Sequence, residues 1–72
     1  MKIRLQGTGF HDAKPVRELK IGDVIEWNFG YRSRVLELNP SKSGKQINVL
    51  LESESGSVNN RRMGADRLVA VV

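Results

Sequence analysis

Three aromatic residues, Trp27, Phe29 and Tyr31, alternate with Asn28, Gly30 and Arg32, and Arg34 follows shortly after. Planar guanidinium groups grip phosphates or carboxylates, and aromatic rings stack on bases or fill a partner's pockets, so this stretch holds the clearest binding chemistry in the chain. Side chains two apart on a strand point the same way, which places Arg32 and Arg34 on a common face. A second group, Asn59-Asn60-Arg61-Arg62, divides by the same rule into Asn60 with Arg62 and Asn59 with Arg61. Only one of those sets can join a shared surface. Together with Lys45 these residues make up the expected contact set: Trp27, Phe29, Tyr31, Arg32, Arg34, Lys45, Asn60, Arg61 and Arg62. A packing role competes at each position. Trp27 suits the core or the end of a small barrel, Phe29 and Tyr31 can staple a turn, and Arg61-Arg62 can oppose Glu52 and Glu54 on a neighbouring strand.

Catalytic chemistry finds little to work with. The single histidine, His11, stands beside Asp12 in a segment expected to be a solvated loop, and a catalytic metal needs about three protein ligands. The chain has no cysteine, which excludes disulfides, thiolate metal sites and a cysteine nucleophile. Gly7-Thr8-Gly9 resembles a phosphate-cradling loop only superficially, because Asp12 stands where a third glycine is needed and no helix follows. Glu52 and Glu54 fall on the solvent face of a strand, where two carboxylates stay ionised. The expectation is a protein that is not an enzyme and uses no metal or cofactor.

The elements that must position these residues are short. Seventy-two residues allow one small domain, expected to span the whole chain with a core over residues 16–71. The net charge is +4, which suits an acidic partner without demanding one. No apolar run is long enough to cross a membrane, and the opening Met-Lys-Ile-Arg-Leu-Gln-Gly turns polar before a signal-peptide core forms, so the expected location is the cytoplasm. Seven glycines and two prolines break the chain at short intervals with no helical stripe between them, which predicts strands joined by turns. Strands are expected over Lys2–Gln6, Asp23–Asn28, Arg32–Leu38, Gln46–Glu54, Val58–Met63 and Leu68–Val72. Phe10 to Lys14 reads as irregular, Val16 to Lys20 as one helical turn, Asn28–Tyr31 as a tight reversal with Gly30 at positive φ, and Gly64–Arg67 as a 3₁₀ turn. The expected core is Leu19, Ile21, Val24, Ile25, Val35, Leu36, Leu38, Ile47, Val49, Leu51, Val58, Leu68 and Val69. Short antiparallel strands with a bending stretch at Val35-Leu36 point to an all-β, antiparallel small barrel of five to six strands.

Leu19-Lys20-Ile21-Gly22-Asp23-Val24-Ile25, Arg34-Val35-Leu36-Glu37-Leu38, Ile47-Asn48-Val49-Leu50-Leu51 and Gly64-Ala65-Asp66-Arg67-Leu68-Val69 together resemble a Src-homology-3-like small barrel. Tudor and KOW modules share this plan: a Leu-x-x-Gly-Asp opening, a meander, and a 3₁₀ turn before the last strand. The chain is also similar to short bacterial and phage proteins of that type. Trp27, Phe29 and Tyr31 could supply three walls of a Tudor-type aromatic cage, but the fourth strand and its turn add no aromatic. Val16 to Asp23 resembles the start of a protein-splicing domain as well, whose N-terminal nucleophile and further histidines are missing here.

A fold of this kind implies little about activity. The residues favour a non-enzymatic binding module that contacts nucleic acid through the basic-aromatic hairpin. The alternative is a protein-interaction or inhibitor module, phage-encoded, that docks on a host protein through the same hairpin, since Trp, Tyr and Arg anchor protein interfaces. A continuous positive face distinguishes the first; an apolar patch around Trp27 and Tyr31 with a rim of mixed charge distinguishes the second. Either is compatible with a homo-oligomer formed through Val69–Val72 as a free edge.

Overall fold

No apolar stripe at helical spacing runs between the Gly-containing turns, and the computed structural model, which describes residues 1–72, is built of strands. They are β1 (Lys2–Leu5), β2 (Gly9–Pro15), β3 (Val24–Glu26), β4 (Arg32–Pro40), β5 (Gln46–Ser53), β6 (Val58–Gly64) and β7 (Leu68–Val71). All pair antiparallel in one sheet of seven strands with the order β1-β2-β7-β3-β4-β5-β6. The all-β antiparallel expectation holds. The closed barrel of five to six strands does not: the sheet is open, with β1 and β6 at its edges.

The additional strand is β2, in the segment expected to be irregular. It pairs at one end with β1, from Lys2↔Asp12 to Leu5↔Gly9, and at the other with β7, from Ala13↔Ala70 to Pro15↔Leu68. Gly9-Phe10-His11-Asp12-Ala13-Lys14-Pro15 shows no regular alternation of apolar and polar residues, which hid the strand. The last strand is also placed differently from expectation. β7 is bonded on both sides, to β2 and to β3 (Ile25↔Val71, Glu26↔Ala70), so Val69–Val72 offers no free edge.

Two 3₁₀ helices occur, at Val16–Glu18 and Asn28–Gly30. The first fulfils the expected turn after Pro15. Gly64–Arg67 instead makes a β-turn, closed by one bond from the Arg67 N–H to the Gly64 carbonyl at 3.0 Å. The Gly-Asp opening has a local cause. Gly22 adopts φ +95°, which only glycine takes without strain, and Asp23 Oδ2 accepts the Lys20 N–H at 2.8 Å. The turn delivers Val24 into β3.

The core comprises Val16, Leu19, Ile25, Val35, Ile47, Val49, Leu51, Met63, Ala65 and Val69. β5 supplies it by strict alternation, with Ile47, Val49 and Leu51 inward. Each fully buried aliphatic side chain contributes about 1.5–3 kcal/mol. Two expected core residues are outside: Ile21 is 71% exposed in the Lys20–Asp23 turn, and Val58 is 52% exposed at the start of an edge strand. Val24, Leu36, Leu38 and Leu68 are only partly buried, while Met63, Ala65 and Ala70 are buried without having been expected there. Between Val35 and Glu37 the β4–β5 register slips at Leu36, so the apolar pair Val35-Leu36 marks a bulge within one sheet. No helix is long and apolar enough to cross a membrane.

Candidate functional site

Trp27 leaves β3 and enters the reversal, where its backbone N–H bonds to the Tyr31 carbonyl at 2.6 Å. Its indole packs partly on the core, and Nε1–H donates to Ser33 Oγ at 3.0 Å. Across the sheet, Ser33 lies opposite Ser53, Leu51 opposite Asn59 and Val49 opposite Arg61. That register carries the Arg61 guanidinium over the indole, 4.7 Å from Cζ to the ring centroid. The geometry is a cation–π contact, about 0.5–1 kcal/mol where exposed. Trp27, Ser33, Leu51, Ser53, Asn59, Asn60 and Arg61 line a depression of about 230 Å³. The hairpin and the Asn-Asn-Arg-Arg segment therefore meet, and Asn59 with Arg61 is the set that faces Trp27. Ser33, Ser53 and Asn59 were not among the expected site residues; only the strand register brings them in.

The other basic residues do not converge there. Arg32 Nε and Nη2 each lie 3.0 Å from Glu26 Oε1. Arg34 Nη2 bonds to Glu52 Oε1 at 2.7 Å. Arg62 takes the opposite face of β6 from Arg61, opposite Asn48. Lys45 precedes β5 at its far end, roughly 20 Å along the strand from Leu51. The expected pairing of Arg61 and Arg62 with Glu52 and Glu54 is absent, because Glu52 stands opposite Val58 and is held by Arg34. Tyr31 is 70% exposed beside Arg32, Ser33, Ser53, Glu54 and Ser55. Phe29 is 66% exposed and sits at φ 65°, a left-handed conformation that costs a bulky side chain energy. Its N–H bonds to the Gln6 carbonyl at 2.6 Å, and Asn28 Oδ1 accepts the Gln6 N–H at 2.9 Å. The reversal is thereby clamped to the β1–β2 turn.

A second polar cluster escaped the sequence reading. Glu26, 4% exposed, holds Arg32 through Oε1, while His11 Nε2 lies 2.8 Å from its Oε2. His11 is not in a solvated loop; it belongs to β2, opposite Ile3, and is mostly buried. The one local signal was a carboxylate inside the apolar run Val24-Ile25-Glu26-Trp27, since buried charges require partners. Thr8 Oγ1 is 2.9 Å from the same His11 Nε2. Hydroxyl, imidazole and carboxylate are thus in contact, yet both oxygens meet one nitrogen. A proton relay needs one ring nitrogen for each partner, so this arrangement ties β2 to β3 and β4 without passing a proton between them. Elsewhere, Lys14 Nζ lies 2.8 Å from Asp23 Oδ2 and, with the Lys20 N–H, holds the Asp23 carboxyl below its ordinary value. No group of three His, Asp or Glu side chains is arranged to hold a metal ion.

Compared with models of known families, with curated proteins and with solved structures, the chain matches none.

Proposed function

We propose that the protein is a non-enzymatic interaction module that docks on a protein partner through the surface made by Trp27, Tyr31 and Arg61. The observation that carries this reading is the division of the basic residues. Arg32 and Arg34 are neutralised by Glu26 and Glu52, Arg62 faces away from Arg61, and Lys45 is remote, so the surface has a mixed-charge rim around aromatic residues. A phosphate backbone calls for a run of free cations, whereas aromatic and arginine anchors within a polar rim suit a protein interface. The inhibitor role is one form of this reading. The lack of cysteines suits a reducing cytoplasm.

Capture on the immobilised protein, with and without nuclease, tests the proposal. Tyr31→Ala and Arg61→Ala, both outside the core, are expected to abolish nuclease-resistant capture of a discrete protein. Binding of oligonucleotides at micromolar concentration, weakened steeply by salt and by Arg61→Ala, would instead establish a nucleic-acid module.

A further inference from the structure

The outer edge of β6 is the longest unpaired backbone surface in the fold. Val58–Gly64 pairs with β5 on one side only, and no backbone group of Val58–Met63 bonds to anything beyond that ladder. In an antiparallel pair every second residue turns its N–H and C=O away from its neighbour, so β6 presents a row of alternating donors and acceptors. Val58 to Arg62 are all exposed.

The side chains on this edge share one sign. The strand contains Arg61 and Arg62 with Asn59 and Asn60 and no acidic residue. Neither arginine has a carboxylate within ion-pair distance, and they occupy opposite faces, Arg61 over Trp27 and Arg62 beside Asn48. An added strand also alternates its side chains between the two faces. Two successive acidic residues in it would meet Arg61 on one face and Arg62 on the other.

We propose that β6 is the docking edge for an extended acidic polypeptide segment of another protein, which adds to the sheet as an eighth strand. This rests on the protein-interaction reading above and names its partner's chemistry. Charge decides among the possible occupants. A second copy could offer only β1, which carries Lys2 and Arg4, or β6 itself, so either pairing sets cations against cations. A nucleic acid brings phosphates that accept from the arginines and N–H groups but supplies no row of donors for the carbonyls. An acidic peptide satisfies both the backbone row and the arginines. The depression beside Trp27 is below the usual size of a small-molecule pocket and suits a single side chain from the added strand.

The test uses the full chain and synthetic peptides of about ten residues, enough to span β6. One has a central Glu-Glu within a Val/Thr background, and a matched one has Lys-Lys. Fluorescence anisotropy should show binding of the Glu-Glu peptide and not of the Lys-Lys peptide. The Arg61→Glu, Arg62→Glu double variant should lose about tenfold or more in affinity for the first and gain binding of the second. Hydrogen exchange should show new protection confined to alternate amides of Val58–Met63. Equal binding of both peptides, or protection elsewhere, would overturn the proposal. So would a concentration-dependent dimer with β6 protected, or an oligothymidylate of similar length that binds where the Glu-Glu peptide does not. If the peptides fail while nuclease-resistant capture through Tyr31 and Arg61 persists, only the edge proposal falls. Loss of both would remove the parent reading as well.

Discussion

The two flanks of the sheet handle charge in opposite ways. Around Glu26, a carboxylate with 4% exposure is satisfied by Arg32 on one oxygen and His11 on the other, and the β1–β2 turn is clamped to the reversal by Gln6, Asn28 and Phe29. Along β6, two arginines stand without carboxylates on a strand of which Met63 alone is buried. The first flank uses its polar groups to fasten strands together. The second leaves them free. Basic residues indistinguishable by type therefore divide into Arg32 and Arg34, each held by a carboxylate, and Arg61 and Arg62, which have none.

The most severe way to break this contrast is to remove a fastener. Glu26→Ala should lower stability by about 2–3 kcal/mol in urea denaturation, because His11 and Arg32 lose a buried partner. The exposed equivalent, Glu52→Ala, should cost about 0.5 kcal/mol. Equal losses would show that the flanks do not differ. Gly7→Ala comes next. At φ +81°, with a new Cβ 3.0 Å from Phe29 Cδ1 and 3.3 Å from Phe29 Cα, it should cost about 1–2 kcal/mol and loosen the clamp. Smaller, and confined to acid, is the effect of Asp23→Asn. Asp23 titrates lower when folded than its ordinary 3.8, so its stabilisation is present above that value and lost as pH falls through the folded pKa. Denaturation midpoints measured from pH 5 downward should fall less steeply in the variant. Arg61→Ala should likewise cost only about 0.5 kcal/mol, from the lost stacking on Trp27, while removing partner capture.

Those contrasts also explain what could be read from the residues alone. Alternation in β5 placed Ile47, Val49 and Leu51 inward, and Gly30 marked the reversal, because period and positive φ are local properties. The partners of His11 and Arg32 were not local. Both meet at Glu26 only because β7 inserts between β2 and β3 and the β3–β4 register sets Glu26 opposite Arg32. Likewise, the period of two separated Arg61 from Arg62, but the choice of which one meets Trp27 depended on the β5–β6 register. Ile21 shows the converse failure: hydrophobicity placed it inside, and the backbone course required by Gly22 turned it out.

The position of β7 has a consequence for assembly. β2 and β3 precede Leu68–Val71 in the chain, yet the backbone ladder between these two strands runs only through β7, beside the side-chain contact of His11 with Glu26. The β3–β6 meander can assemble by neighbouring hairpins, whereas the β1–β2 hairpin, held to it by the Gln6 clamp and the His11–Glu26 pair, gains its backbone ladder only when β7 is in place. A chain truncated before Leu68 should leave that hairpin more open to protease than it is in the full chain.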